Sequence, residues 1–412
     1  MPRWYKRWTA ILLVLLAVGA TACSDMLLPV STLMPTAVPP STQTSLARAN
    51  LGPPPTWTLT VPPLFTFTPV VPSPTPTSYV RTATPTIPSR TPTNTPTPSN
   101  TPTPTATPTP WPTIAPEEVW TLGRYPRPFR DNGWGMHWFP TYEQDMQTIN
   151  RFVLELQRMH IRWVVLLNDG TDIGRNDFLV QRLVAAQMMP VMRLYVHGVV
   201  PYDGNLAEAV HHYRGLGVHY FQLYNEPNLF AEAAGREPNP DWYVSHWAPA
   251  AEIVVANGGL PGFGALSPGG EYNDLDYLRG ALQSLKRRNQ QYLLNQGWLS
   301  VHNYAQYQPV DSTEGFMRFR LYNQIIVEEL GRSIPILGTE GGHYADISEQ
   351  FLHVIAEYRY LAQREDYFFC HTYWLIGNQI GGSWDPTFEH QALFRADGYI
   401  NPLVTGLFYR GP

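Results

Sequence analysis

The fold is decided by residues 219–228, which read His-Tyr-Phe-Gln-Leu-Tyr-Asn-Glu-Pro-Asn. The first five residues form a largely aromatic run that is typical of a buried β-strand. Pro227 ends this strand, because a proline has no amide hydrogen for the ladder. Glu226 is therefore expected at the carboxyl end of a strand, where parallel α/β barrels hold their reactive groups.

The same arrangement occurs again at residues 334–342, which read Ile-Pro-Ile-Leu-Gly-Thr-Glu-Gly-Gly. Here too an apolar strand ends on a glutamate, Glu340. The carboxyl ends of the strands in a parallel barrel lie on one face, so Glu226 and Glu340 are expected on the same face. Two such carboxylates are the minimum that hydrolysis of a glycosidic bond requires.

Strand-like and helix-like patterns alternate from Glu118 onwards, and this alternation predicts a parallel sheet with crossover helices. Eight strand–helix units in roughly 290 residues fit a (β/α)8 TIM barrel, which typically needs about 250 residues. A doubly wound open sheet is the alternative, although no glycine-rich phosphate loop follows an early strand. The predicted strands span residues 133–138, 161–167, 191–196, 219–223, 262–266, 297–301, 334–340 and 367–375. The first six predicted helices span residues 141–160, 177–188, 205–216, 241–256, 275–295 and 315–330.

Residues 1–23 have the three-part layout of an export signal: basic residues, an apolar run at 11–18, then small residues. That run is too short to predict a membrane span. The sequence Ala-Thr-Ala-Cys at 20–23 resembles a bacterial lipoprotein cleavage box, in which the cysteine is lipidated. It departs from the usual pattern at Ala20, and ordinary signal cleavage with free secretion is the alternative. We expect an extracytoplasmic protein, anchored to a membrane through Cys23 or secreted.

Residues 24–117 form a Thr/Pro-rich segment, in which residues 91–98, for example, read Thr-Pro-Thr-Asn-Thr-Pro-Thr-Pro. It has too little apolar surface to offset the entropy of folding, so it is expected to stay extended. A tether of about 80 residues in the polyproline II form reaches on the order of 200 Å. The sequence therefore predicts a tethered catalytic domain at residues 118–412.

The composition narrows the partners that we expect. A formal net charge of −5 does not favour nucleic acid. The 13 tryptophans and 23 tyrosines suit sugar-binding platforms, although ordinary cores bury such rings too. Cys23 and Cys370 predict no disulfide framework. His211 and His212 have no partner at the spacing of metal ligands, so we expect no metal. We also expect that no cofactor is needed and that the protein is a monomer.

The order of the motifs resembles glycoside hydrolase clan A, the retaining (β/α)8-barrel glycosidases that include the family 5 cellulases and mannanases. The resemblance covers the barrel from about Trp120 to Tyr409. It rests on Asn-Glu-Pro at 225–227, at the end of strand four, and on a glutamate at the end of strand seven. It implies that Glu226 is the general acid/base and Glu340 the nucleophile, with an oligo- or polysaccharide as the substrate.

The same resemblance implies roles for neighbouring residues. Asn225 corresponds to an asparagine that binds the 2-hydroxyl of the sugar. His302 and Tyr304 match a His-x-Tyr pair at the end of strand six, in which the tyrosine orients the nucleophile. Arg162 matches an arginine of strand two that keeps the nucleophile ionised; the alternative is an arginine paired near the bottom of the barrel.

Three further residues are expected at the site. Trp374 resembles a strand-eight tryptophan that forms the floor of the subsite next to the cleaved bond, and a core tryptophan is the alternative. His197 resembles a histidine at the end of strand three, or it is a simple loop histidine. Trp138 is a looser candidate for stacking on a sugar ring.

A different class of function is also open: a barrel that binds carbohydrate or a cell-wall component on a surface tether without cleaving it. The presence of both Glu226 and Glu340 argues against this alternative, because a barrel that has lost its activity has often lost one of the two.

Overall fold

The computed structural model describes residues 118–141, 144–305, 308–342, 347–380, 383–384 and 388–412. The predicted signal, Cys23 and the predicted tether lie outside these residues. Eight parallel strands close into a barrel, in which the first strand pairs with both the second and the eighth. The predicted (β/α)8 barrel is therefore confirmed, and the open-sheet alternative is wrong.

Strands and helices alternate along the described chain. The barrel strands are β1 (Trp134–His137), β2 (Trp163–Asp169), β3 (Met189–Tyr195), β4 (Tyr220–Leu223), β5 (Leu260–Leu266), β6 (Trp298–His302), β7 (Ile336–Glu340) and β8 (Phe368–Tyr373). The helices are α1 (Met146–Arg158), α2 (Asp177–Ala185), α3 (Leu206–Gly215), α4 (Pro240–Ala256), α5 (Asp274–Arg287), α6 (Phe319–Leu330), α7 (Ile347–Tyr360) and α8 (Pro402–Gly406). Two short antiparallel strands, β9 (Gln379–Ile380) and β10 (Ser383–Trp384), follow the barrel.

The helix boundaries differ from the prediction where a local cap decides them. Helix α1 starts at Met146 and not at residue 141, because the side chain of Asp145 accepts a hydrogen bond from the Thr148 amide at 2.8 Å. Helix α6 ends as predicted before Gly331, whose φ of 72° is the left-handed conformation that a glycine adopts easily. Among the described residues no helix is both long and apolar enough to cross a membrane.

The amino end of the barrel is closed by aromatic packing. The first residues of five strands belong to one buried cluster: Trp163, Met189, Tyr220, Leu260 and Trp298. Tyr125, which precedes β1, joins this cluster, and its hydroxyl donates to the Gly297 carbonyl at 2.9 Å. A packed amino end leaves the carboxyl end of the barrel for polar groups.

A polar layer lies two residues further along the strands. Side chains of a strand alternate between its two faces, so Gln222 and Ser300 lie on the same face as Tyr220 and Trp298. Ser300 Oγ lies 3.3 Å from Gln222 Oε1 and 2.7 Å from Thr339 Oγ1. These side chains hydrogen-bond one another, and charged residues follow them towards the carboxyl end of the barrel.

Candidate active site

The two glutamates singled out in the sequence both lie at the carboxyl end of the barrel. Glu340 is the last residue of β7, and Glu226 follows β4 in a tight turn. Tyr224 and Glu226 have φ angles of 64° and 35°. Such left-handed backbone is uncommon outside glycine and concentrates at functional sites.

A single histidine lies between the two carboxyl groups. His302, the last residue of β6, is fully buried. Its Nδ1 is 2.9 Å from Glu226 Oε1, and its Nε2 is 3.6 Å from Glu340 Oε1. Glu226 and Glu340 therefore contact the same imidazole ring.

Both oxygens of Glu340 have partners. The Tyr304 hydroxyl donates to Oε2 at 2.9 Å, and Arg193 Nη1 lies 2.6 Å from Oε1. Burial by itself raises the pKa of the Glu340 carboxyl. Electrostatic interactions with the His302 ring and with Arg193, together with the hydrogen bond from Arg193, outweigh this effect and lower the pKa to about 2. Glu340 is thus an ionised carboxylate at neutral pH, held in one orientation.

The arginine beside Glu340 is Arg193 and not Arg162, so the prediction for Arg162 is wrong. Arg193 lies two residues after Val191 and four after Met189 on β3, so the three side chains face the same side of the strand. Met189 and Val191 both belong to the cluster inside the barrel. Arg162 precedes the first residue of β2, Trp163, at the opposite end of the barrel, and Trp163 is the residue that faces inwards. Each arginine is the only charged residue in an apolar run. Only the position of each residue along its strand decides which side chain faces the barrel interior.

Asn225 and a third carboxyl group lie next to Glu226. Asn225 is buried, and its Nδ2 donates to Glu232 Oε1 at 3.2 Å. Burial raises the pKa of Glu232 to about 8, and the charge of Glu226 acts in the same direction. Glu232 was not among the residues predicted from the sequence, because a glutamate in a loop six residues after Glu226 gives no signal of burial.

His137 is a second residue that the sequence analysis missed. It ends β1, and burial together with the charge of Arg193 lowers its pKa to about 3, so the ring is neutral at ordinary pH. Its ring lies 4.2 Å from that of Trp374, the first residue beyond β8. Trp374 is therefore at the carboxyl end of the barrel, where it also packs against Phe388 and is 7% exposed.

The expectation that Trp138 stacks on a sugar is wrong, because Trp138 is a core residue. It is fully buried against Phe139 and Phe152, and its Nε1 donates to Gln144 Oε1 at 2.7 Å. His197 lies exposed two residues beyond β3, at the same end of the barrel as the two glutamates. Its role stays a prediction.

No protein-family model and no curated protein matches the sequence. Among solved structures, a monomeric beta-xylosidase from Caulobacter crescentus CB15 matches with a TM-score of 0.50 and 14% identity, over 70% of this chain and 69% of that chain. A GH39 beta-xylosidase from Caulobacter crescentus matches with a TM-score of 0.50 and 15% identity, over 70% of this chain and 72% of that chain. At this identity the likeness shows a shared fold.

The Arg193–Glu340 ion pair makes a testable contribution to stability. We expect Arg193→Gln to lower the free energy of unfolding at pH 7 by about 3–5 kcal/mol, because it leaves a buried carboxylate unpaired. A carboxyl whose pKa is lowered by folding contributes stability that is complete above its unfolded pKa, about 4.3, and lost as the pH falls towards 2. The cost of the substitution should therefore shrink between pH 7 and pH 3 in urea unfolding of the full chain.

The matched control is Arg279→Gln, which removes an arginine from exposed ion pairs with Glu328 and Glu329. Its cost should stay within about 1 kcal/mol. An equal loss for Arg193→Gln at pH 7 and pH 3 would show that packing, and not charge, is what Arg193 supplies.

Proposed function

We propose that this protein is a retaining glycosidase that hydrolyses β-linked carbohydrate. The observation that carries the proposal is the pair of carboxyl groups of Glu226 and Glu340. They lie at the carboxyl ends of β4 and β7, and both contact the imidazole of His302. One member of the pair is ionised and fixed by Arg193 and Tyr304, as a nucleophile requires. The shared fold with two beta-xylosidases, as they are named, agrees with a carbohydrate substrate.

The proposed reaction has two steps. In the first, Glu340 attacks the anomeric carbon while Glu226 gives its proton to the oxygen of the leaving group, which breaks the glycosidic bond and forms a glycosyl ester on Glu340. In the second, Glu226 takes a proton from water as that water attacks the anomeric carbon and releases Glu340. Two inversions restore the original configuration.

Other residues would prepare the reacting groups. Tyr304 and Arg193 keep Glu340 oriented and ionised, so that little reorganisation is needed during the attack. Asn225 binds a sugar hydroxyl next to the reacting carbon, and Trp374 forms part of the adjoining subsite. The resemblance to clan A supports these roles for Asn225, Tyr304 and Trp374.

We propose that the barrel acts outside the cytoplasm, on a Thr/Pro-rich tether at residues 24–117 that is attached to a membrane through lipid on Cys23. The support for this proposal is the sequence of residues 1–117 alone. A tether of this kind gives a surface enzyme reach towards an immobile polysaccharide.

Glu340→Gln should abolish hydrolysis, because an amide cannot attack the anomeric carbon. The measurement is turnover of a panel of β-glucans, mannans, xylans, galactans and aryl glycosides by the wild type and the variant. Glu237→Gln, which removes the same charge from an exposed loop residue, is the control and should keep full activity. Residual turnover in Glu340→Gln would exclude Glu340 as the nucleophile, and binding without turnover in the wild type would favour a non-catalytic barrel.

Glu226→Ala should slow natural glycosides far more than activated aryl glycosides, because an aryl leaving group needs little protonation. The measurement is the ratio of kcat/KM losses on the two substrate types. Equal losses on both types would contradict the acid/base role of Glu226.

Cys23→Ser should release the protein from the membrane fraction of an expressing bacterium, because the acyl chains are attached to the cysteine sulfur and amine. The measurement is labelled fatty-acid incorporation, followed by fractionation. A protein that incorporates no label with Cys23 present, and that appears in the medium, would favour the secreted alternative.

A further inference from the structure

The loop after Glu226 folds back on itself. The Leu229 amide donates to the Glu226 carbonyl at 2.9 Å, and the Glu232 amide donates to the Leu229 carbonyl at 3.2 Å. Outside the loop, the Phe230 amide donates to Glu271 Oε2 at 2.8 Å. The bond from the Glu232 amide belongs to a short 3-10 helix, Phe230–Glu232, and the side chain of Glu232 contacts Asn225.

The contact between Asn225 and Glu232 sets the direction of the asparagine amide. Asn225 Nδ2 donates to Glu232 Oε1 at 3.2 Å. Asn225 Oδ1 and Glu232 Oε2 are both buried and find no hydrogen-bond partner within the described part of the chain. An amide whose NH2 group is occupied offers its oxygen, so Asn225 is prepared to accept a hydrogen bond from a hydroxyl.

Glu232 is 4% exposed and has no cation of its own in bonding contact among the described residues. The charged groups that act on it are Glu226, Arg193 and Glu340, from β3, β7 and the turn after β4. A buried carboxylate with an unpaired oxygen is costly, which favours the neutral acid. Burial, and then Glu226, raise the pKa of Glu232 to about 8.

We propose that Glu232 is a positioning residue of the proposed glycosidase: it holds the Asn225 amide with its oxygen towards a substrate hydroxyl. This inference rests on the proposed function. Glu232 does not touch the substrate itself; it works through Asn225.

The proton on Glu232 agrees with this contact. A neutral Glu232 accepts from Asn225 through its carbonyl oxygen. Because the pKa of Glu232 is raised to about 8, this neutral form is present at ordinary pH.

Three variants test this role in measurements of kcat/KM against pH. Glu232→Gln keeps an oxygen that accepts from Asn225, so kcat/KM should stay within about threefold of the wild type. Glu232→Ala loses this contact and should lower kcat/KM by about 10- to 100-fold at every pH. The control Glu237→Gln, on the same loop but exposed, should reproduce the wild-type profile.

Full activity in Glu232→Ala, or an equal loss in Glu232→Gln and Glu232→Ala, would refute the positioning role. A readout that needs no substrate is the NMR signal of the Asn225 side-chain NH2 group in the full chain, assigned by its loss in Asn225→Asp. In the wild type this signal should shift with a midpoint near pH 8. The shift should vanish in Glu232→Gln, and its midpoint should fall in Glu226→Gln, because a neighbouring negative charge is removed.

These two readouts distinguish the possible failures. A wild type without glycosidase activity overturns the proposed function, and the NMR titration still decides whether Glu232 contacts Asn225. An Asn225 signal that is insensitive to pH and to both substitutions overturns the inference about Glu232, even if the protein is an active glycosidase.

Discussion

The buried ion pair between Arg193 and Glu340, at 2.6 Å, is the contact on which the arrangement of the site depends. A carboxylate removed from water is expensive unless a fixed positive charge lies beside it. Arg193 supplies that charge from β3, four strands away in chain order from β7, and only closure of the barrel brings the two together. His302 then extends the network from Glu340 to Glu226.

The barrel explains why this network lies at one end. Aromatic side chains such as Trp163 and Trp298 fill the amino end, and a hydrogen-bonded layer around Ser300 follows. Charged groups occupy the end that remains, where the side chain of Glu226 is 20% exposed and that of Glu340 10%. The two carboxyl groups thus have different surroundings. Such a difference allows one carboxyl to act as an acid and the other as an anion.

The sequence allowed the fold and the two glutamates to be predicted, because both depend on local patterns: strand alternation with helices, and a glutamate directly after an apolar run. The arginine could not be chosen correctly. Arg162 and Arg193 each interrupt an apolar run, and a strand that starts one residue later exchanges the face on which a side chain lies. Trp138 was misassigned for the same reason. It comes directly after His137, the last residue of β1, and its side chain packs in the core between barrel and helices. Glu232 depends on a loop that folds back, which no short-range pattern reveals.

If Glu340 is the nucleophile, the sugar becomes covalently bound to it during the reaction. The most direct test is mass spectrometry of the protein after brief reaction with an activated 2-deoxy-2-fluoro glycoside, whose glycosyl ester hydrolyses slowly, chosen from the sugars that the wild type accepts. We expect one added glycosyl group, on the peptide that contains Glu340, and none in Glu340→Gln. Hydrolysis of the parent glycoside with inverted configuration, or a label on another residue, would exclude this role for Glu340.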